Sequence, residues 1–130
     1  MKIEQAYLKN LVLAFYDSPK LSVTIDDLKE SGFDYDSDEF KHHMFMLHDK
    51  GLIKALNDTP GFGLNNRGGW VTTKLRLTAD GQDFAEALKN DTVWKMLHEK
   101  FNSAGLDVLT TAAKEGLKVL ISQSVKDFLS

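Results

Sequence analysis

A mainly helical fold carrying one small β-hairpin (α+β) is the architecture this sequence predicts, and three observations lead to it. Apolar residues recur at helical spacing in several separate stretches. A single stretch alternates with period two. The breaks between them hold glycine, asparagine, aspartate or proline, the residues that turns and helix ends require. The 130-residue length fits one compact domain, and 42% apolar against 27% charged residues is ordinary globular composition.

Ile3, Tyr7 and Leu11, with the neighbouring row Leu8, Val12 and Phe15, describe a first helix ended by Asp17-Ser18-Pro19. Thr24 caps a short second helix whose Ile25 and Leu28 face inward, and Gly32 stands where a left-handed residue ends it. For the third helix, Asp36 and Glu39 have capping-box spacing and Tyr35 and Phe40 the spacing of a hydrophobic staple. The helix then runs to about Lys50 and stops at Gly51. Leu52 to Leu56 reads as one strand. Trp70 to Leu77 reads as a second, with Val71, Thr73, Leu75 and Leu77 on its buried face. The loop 57–69 between them is read as a flexible tip exposing Phe62 and Leu64, with Trp70 exposed beside it.

Thr78 caps a fourth helix that buries Phe84, Ala85 and Leu88 and reaches Asn90. Asp91 caps a fifth, with Trp94, Leu97 and Phe101 on one side. After a break at 102–105, a last helix runs from about Leu106 to Phe128. Its seam is Leu106, Leu109, Ala113, Leu117, Leu120, Ser124 and Phe128, flanked by the small Ala112 and Gly116. Three helices followed by a hairpin is the order of a winged helix-turn-helix, so residues 1–90 are expected to form that domain. Residues 91–130 are expected to form a C-terminal helical extension, packed on it or used for dimerisation.

Gly51-Leu52-Ile53, Leu77-Thr78-Ala79-Asp80-Gly81 followed by Phe84, Asn90-Asp91-Thr92-Val93-Trp94, and Leu106-Asp107-Val108-Leu109 resemble a family of small hypothetical proteins of bacteria and their prophages. The resemblance spans nearly the whole chain, and its most specific parts are the Leu-Thr-x-x-Gly-x-x-Phe and Asn-Asp-Thr-Val-Trp runs. The family is a domain of unknown function. The resemblance therefore implies a winged-helix core and a phage or prophage setting, and it implies no reaction, ligand or catalytic residue.

Sixteen Lys plus Arg against nineteen Asp plus Glu give a net charge of −3, away from the basic balance of a non-specific nucleic-acid binder. The third helix follows that trend, since 36–50 carries a net charge of −2 and its outward line is Asp38, His42, Phe45 and Asp49. The hairpin reverses it. Segment 51–77 holds Lys54, Arg67, Lys74 and Arg76 against Asp58 alone, a net +3, and Asn65-Asn66-Arg67-Gly68-Gly69 at its tip can approach a phosphate or minor groove closely.

Nothing points to catalysis or to a cofactor. His42 and His43 diverge by about 100° on a helix, the spacing that zinc ligation favours is missing, and no cysteine exists. The glycines of the loop lack the Lys-Ser/Thr context of a phosphate-binding loop. The expected protein is a non-enzyme with no metal, no membrane attachment and a cytoplasmic location. Its expected partner is double-stranded DNA, held by Asn65, Asn66, Arg67, Lys74 and Arg76. The alternative is a host protein met by Asp38, His42, Phe45 and Asp49. Helix 106–128 is expected to bury its seam against the same chain or, alternatively, against a second copy in a homodimer, and its charges, which sum to zero, offer no basic face to a membrane.

Overall fold

The computed structural model describes all 130 residues, in the order α1 (Gln5–Tyr16), α2 (Ile25–Glu30), α3 (Asp38–Asp49), β1 (Ile53–Ala55), β2 (Leu75–Leu77), α4 (Ala79–Lys89), α5 (Asp91–Lys100) and α6 (Leu106–Leu129). The mainly helical reading with one small antiparallel sheet is what the chain adopts. Ile53 pairs with Leu77, Lys54 with Arg76 and Ala55 with Leu75. Val23, between α1 and α2, adds an isolated antiparallel bridge to Leu75 on the other side of β2.

Caps decide where the helices begin and end. Thr24 and Asp27 form a reciprocal capping box at α2, the Thr24 Oγ1 accepting from Asp27 N–H while Thr24 N–H donates to Asp27 Oδ2 at 2.9 Å. Helices α2 and α3 both end on a left-handed glycine. At the end of α3, Gly51 has φ +75°, its N–H donates to His48 O, and Leu52 N–H donates to Leu47 O, which closes a Schellman motif. Gly32 ends α2 in the same way, at φ +103°.

The cap expected for α3 is corrected. Asp34 makes a tight turn by accepting from Asp36 N–H with its carboxylate and from Ser37 N–H with its carbonyl. That places Ser37 in extended backbone at the N-cap, where its Oγ accepts from Phe40 N–H at 3.1 Å. The Asp36–Glu39 box and the Tyr35–Phe40 staple therefore fall out of register. At α5 the cap is Asn90, not Asp91, with Asn90 Oδ1 accepting from Val93 N–H.

One apolar cluster runs from Leu8 to Ala113 and continues unbroken across residue 90. Helices α1 and α4 lie at its centre, and α5 and the first part of α6 pack on α4. Gln5, buried on α1, donates its carboxamide to the carbonyls of Leu97 (3.1 Å) and Phe101 (2.7 Å), tying the end of α5 to the first turn of the chain. Only the first half of the expected α6 seam is used in this way. Leu106, Leu109 and Ala113 are buried, Leu117 and Leu120 are half-buried, and every residue from Ile121 onward is exposed.

The Leu-Thr-x-x-Gly-x-x-Phe run has a packing explanation. Thr78 Oγ1 accepts from Gly81 N–H and donates to Gly51 O, while Thr78 N–H donates to Leu52 O. A Cβ at Gly81 would sit 2.1 Å from Leu52 O, so α4 reaches β1 only because residue 81 has no side chain. Leu77 and Phe84 on either side enter the core.

Candidate nucleic-acid interface

The segment between the strands is built on aromatic contacts. Trp70 donates its indole N–H to Tyr35 O at 2.8 Å, and its ring lies 5.7 Å from Phe40 and 6.0 Å from Phe62. Phe62 in turn meets Phe45 edge-on at 5.1 Å and His48 at 5.2 Å. The expectation of a tip that exposes Phe62, Leu64 and Trp70 is thus corrected: Phe62 is buried, the other two are half-buried, and Phe62 and Trp70 hold the inter-strand segment against α3. Tryptophan carries both a large apolar surface and a donor, so a loop that offers it a carbonyl and a ring to lie on captures it.

The long second strand is shortened for the same reason. Only Leu75–Leu77 pairs with β1, and Val71, assigned to the buried face, is 61% exposed. Val71 N–H donates to Gly63 O, so the segment from Gly63 to Val71 folds on itself as a small sub-hairpin closed by the Leu64–Trp70 bridge. A Cβ at Gly63 would lie 2.5 Å from Val71 O, and its φ is +98°.

Asn65 shapes the tip. Its Oδ1 accepts from both Arg67 N–H and Gly69 N–H at 2.9 Å, its own N–H donates to Gly69 O, and its carbonyl accepts from Gly68 N–H. The carboxamide oxygen expected to meet a nucleic acid is therefore committed to the turn, while Asn66 and Arg67 are exposed at its apex.

The basic residues divide into two sets. Lys54 forms an ion pair with Asp58, whose carboxyl is held below the usual carboxylate range by that contact. Arg76, directly across the ladder from Lys54, donates Nη1–H to Leu77 O at 3.0 Å. Arg67 and Lys74 make neither an ion pair nor a side-chain hydrogen bond and are exposed. A further cation, unremarked in the sequence, belongs with them. Lys41 on α3 also lacks an ionic partner, and its Nζ lies 3.8 Å from the position a Cβ would take on Gly68, next to Arg67. On a helical wheel Lys41 stands on the flank between the core line and the outward line. Only the docking of the inter-strand loop on that flank brings it to the tip.

The outward line of α3 is placed as expected, with Asp38, Phe45 and Asp49 exposed and His42 partly so. Phe45 is 44% exposed even with Phe62 against one edge. Partial burial and the neighbouring His43 lower the pKa of His42. His43 itself is buried. Its Nε2 accepts from Glu4 N–H at 3.0 Å, which puts the ring proton on Nδ1, bonded to Glu39 O at 2.7 Å. Its role is to hold α1 to α3. No three His, Cys, Asp or Glu side chains converge as a metal site would require, and no helix is long and apolar enough to cross a membrane.

Helices α1 to α3, the short sheet with its docked loop and the helices that follow define a small mainly helical α+β domain. Residues 4–107 match the family described as "Hypothetical protein (DUF2513)", and the chain belongs to that family. An uncharacterised protein of Haemophilus influenzae (strain ATCC 51907 / DSM 11121 / KW20 / Rd) is 32% identical over 89 residues, covering 68% of this chain and 70% of that protein. No solved structure matches.

Proposed function

We propose that this protein is a non-enzymatic, winged-helix, DNA-binding regulator of phage or prophage type, acting in the cytoplasm, and that the wing makes its principal contact with double-stranded DNA. The Val23 bridge to Leu75 supports the winged-helix reading, because it supplies a strand-like segment between the first two helices, flanking the sheet as the fold requires. The observation that carries the function is the docked wing itself. It holds Arg67 and Lys74 free of ionic partners, with Lys41 beside the tip, while Arg76 extends the basic face along β2. The acidic outward line of α3 makes base reading by that helix unfavourable. Backbone and minor-groove contact through the wing is the mode this charge distribution supports.

The test is fluorescence anisotropy with a random-sequence duplex at about 50 mM and about 200 mM salt. Four phosphate contacts correspond to roughly a hundredfold loss of affinity between those conditions. Replacing Arg67 and Lys74 together by alanine should lower the slope of log K against log salt by about two. Absence of binding at the lower salt would overturn the reading.

A second reading rests on Phe45, an exposed aromatic set among Asp38, His42 and Asp49, which suits a basic, apolar surface on a host protein. The pair F45A and D49K should abolish capture of such a partner. Either reading is compatible with a homodimer through helix 106–128.

A further inference from the structure

The 24-residue α6 is packed against the body only over its first half. From Leu117 to Leu129 it projects about 20 Å. On the wheel Leu117, Ile121, Ser124 and Phe128 lie within about 60° of one another, with Leu120 and Val125 on the two flanks. This stripe is turned by about 60° from the line of Leu106, Leu109 and Ala113; Leu117 and Ile121 border a cleft with Phe84 and Glu86 of α4, and the rest of it runs on past Asn90 at the α4–α5 junction. Ile121 is 56%, Val125 51% and Phe128 87% exposed. A shallow groove of about 430 Å³ runs along the stripe and ends at Asn90.

We infer that this stripe is a dimer interface, in which the projecting half of α6 pairs antiparallel with the same half of a second copy. Three features of the chain fit that occupant. The first is register. Leu117, Ile121, Ser124 and Phe128 are spaced four, three and four apart, so a twofold axis midway between residues 122 and 123 sets Leu117 against Phe128 of the second copy and Ile121 against its Ser124. Each bulky end meets the other's groove.

The second is charge. Past Leu117 the segment holds only Lys118, Lys126 and Asp127, with Lys126 on the far side from the stripe. So small a net charge is too weak to attract either an anionic bilayer or a strongly charged partner, and in the antiparallel register no like charges are set against each other. The third is area. Two copies of this stripe remove on the order of 1,000 Å² from solvent, the lower limit of a specific interface. The antiparallel arrangement also keeps the two globular bodies at opposite ends, because each is carried by the first half of its own α6. Val119, on the opposite side of the helix, stays outside the contact.

The test uses the full chain. Sedimentation equilibrium from about 1 to 100 µM should give a mass twice the 14.6 kDa of the chain. The double variant I121D/F128E should weaken association by at least about a hundredfold. Both side chains are exposed in the single copy, so its far-ultraviolet spectrum and melting as a monomer should be preserved. Because the protein has no cysteine, orientation can be read by cross-linking. A mixture of L117C and F128C chains should form a disulfide-linked heterodimer on oxidation, and L117C alone should not. A wild-type chain that is monomeric at 100 µM, a dimer indifferent to I121D/F128E, or efficient cross-linking of L117C to itself would each overturn the proposal. So would a monomer that cosediments with phosphatidylcholine–phosphatidylglycerol vesicles, which would give the stripe to a membrane surface.

Discussion

Two buried polar side chains, Gln5 and His43, tie separate helices together, and a half-buried third, Asp27, holds the start of α2. Gln5 gives a second donor to two carbonyls at the end of α5 that already accept from Phe101 N–H and Ala104 N–H, so Gln5→Ala removes two hydrogen bonds and should cost about 1–3 kcal/mol in a denaturant titration. His43→Leu should cost a similar amount by stranding Glu4 N–H and removing the second bond to Glu39 O. Asp27 makes a different prediction. Its pKa is lowered by the Lys20 ammonium, 2.8 Å away, and by the Thr24 N–H. A carboxyl whose pKa is lower folded than unfolded stabilises the fold above the unfolded value, near 3.9, and loses that contribution as pH falls through the folded value. The melting temperature of the wild type should therefore fall more steeply than that of D27N as pH is lowered below about 4, and a parallel decline would assign no such role to Asp27.

Among the elements, the helices were legible because each has a wide apolar face and ends at a recognisable residue, as Thr24, Gly32, Gly51 and Thr78 show. The caps of α3 and α5 were displaced by one position, since Asp36 and Ser37, or Asn90 and Asp91, are adjacent residues of nearly equal capping ability, and the turn preceding the helix decides between them. The segment between the strands was the least legible element. Alternation from Trp70 to Leu77 gave no sign that Trp70 leaves the strand for Tyr35 and Phe40, a contact between residues 35 positions apart. Lys41 was hidden for the same reason, while Arg67, Lys74, Asp38 and Phe45 lie where spacing placed them. Two substitutions probe the elements directly. Gly81→Ala forces a Cβ onto Leu52 O and should destabilise the protein by about 2 kcal/mol or more. Gly105→Ser should stabilise it by a few tenths of a kcal/mol, because the N-cap of α6 makes no side-chain hydrogen bond and nothing lies within 4 Å of a Cβ there. Thermal melts of both variants decide.

At the scale of the whole molecule, the candidate basic contacts and the exposed apolar stripe occupy separate elements. Arg67, Lys74 and Lys41 stand on or beside the segment between the strands, and the exposed apolar side chains of Ile121, Val125, Phe128 and Leu129 at the far end of α6. The two proposals therefore address different surfaces and can fail independently: I121D/F128E changes mass while leaving the wing intact, and R67A/K74A changes salt-dependent DNA binding while leaving association unaffected. If both hold, the dimer doubles the number of phosphate contacts available to one duplex, and breaking it should reduce apparent affinity for a long duplex more than for a short one.

The indole of Trp70 gives the protein an optical gauge of its own. The only other tryptophan, Trp94, lies on α5 under Lys9 and makes no ring contact with Trp70, Phe40 or Phe62. In a W94F background the emission spectrum should report one ring, blue-shifted while the wing is seated on Phe40 and Phe62 and red-shifted once it lifts into water. Nucleic acid, acid or heat could then be titrated against the seating of that single loop, separately from the unfolding of the domain beneath it.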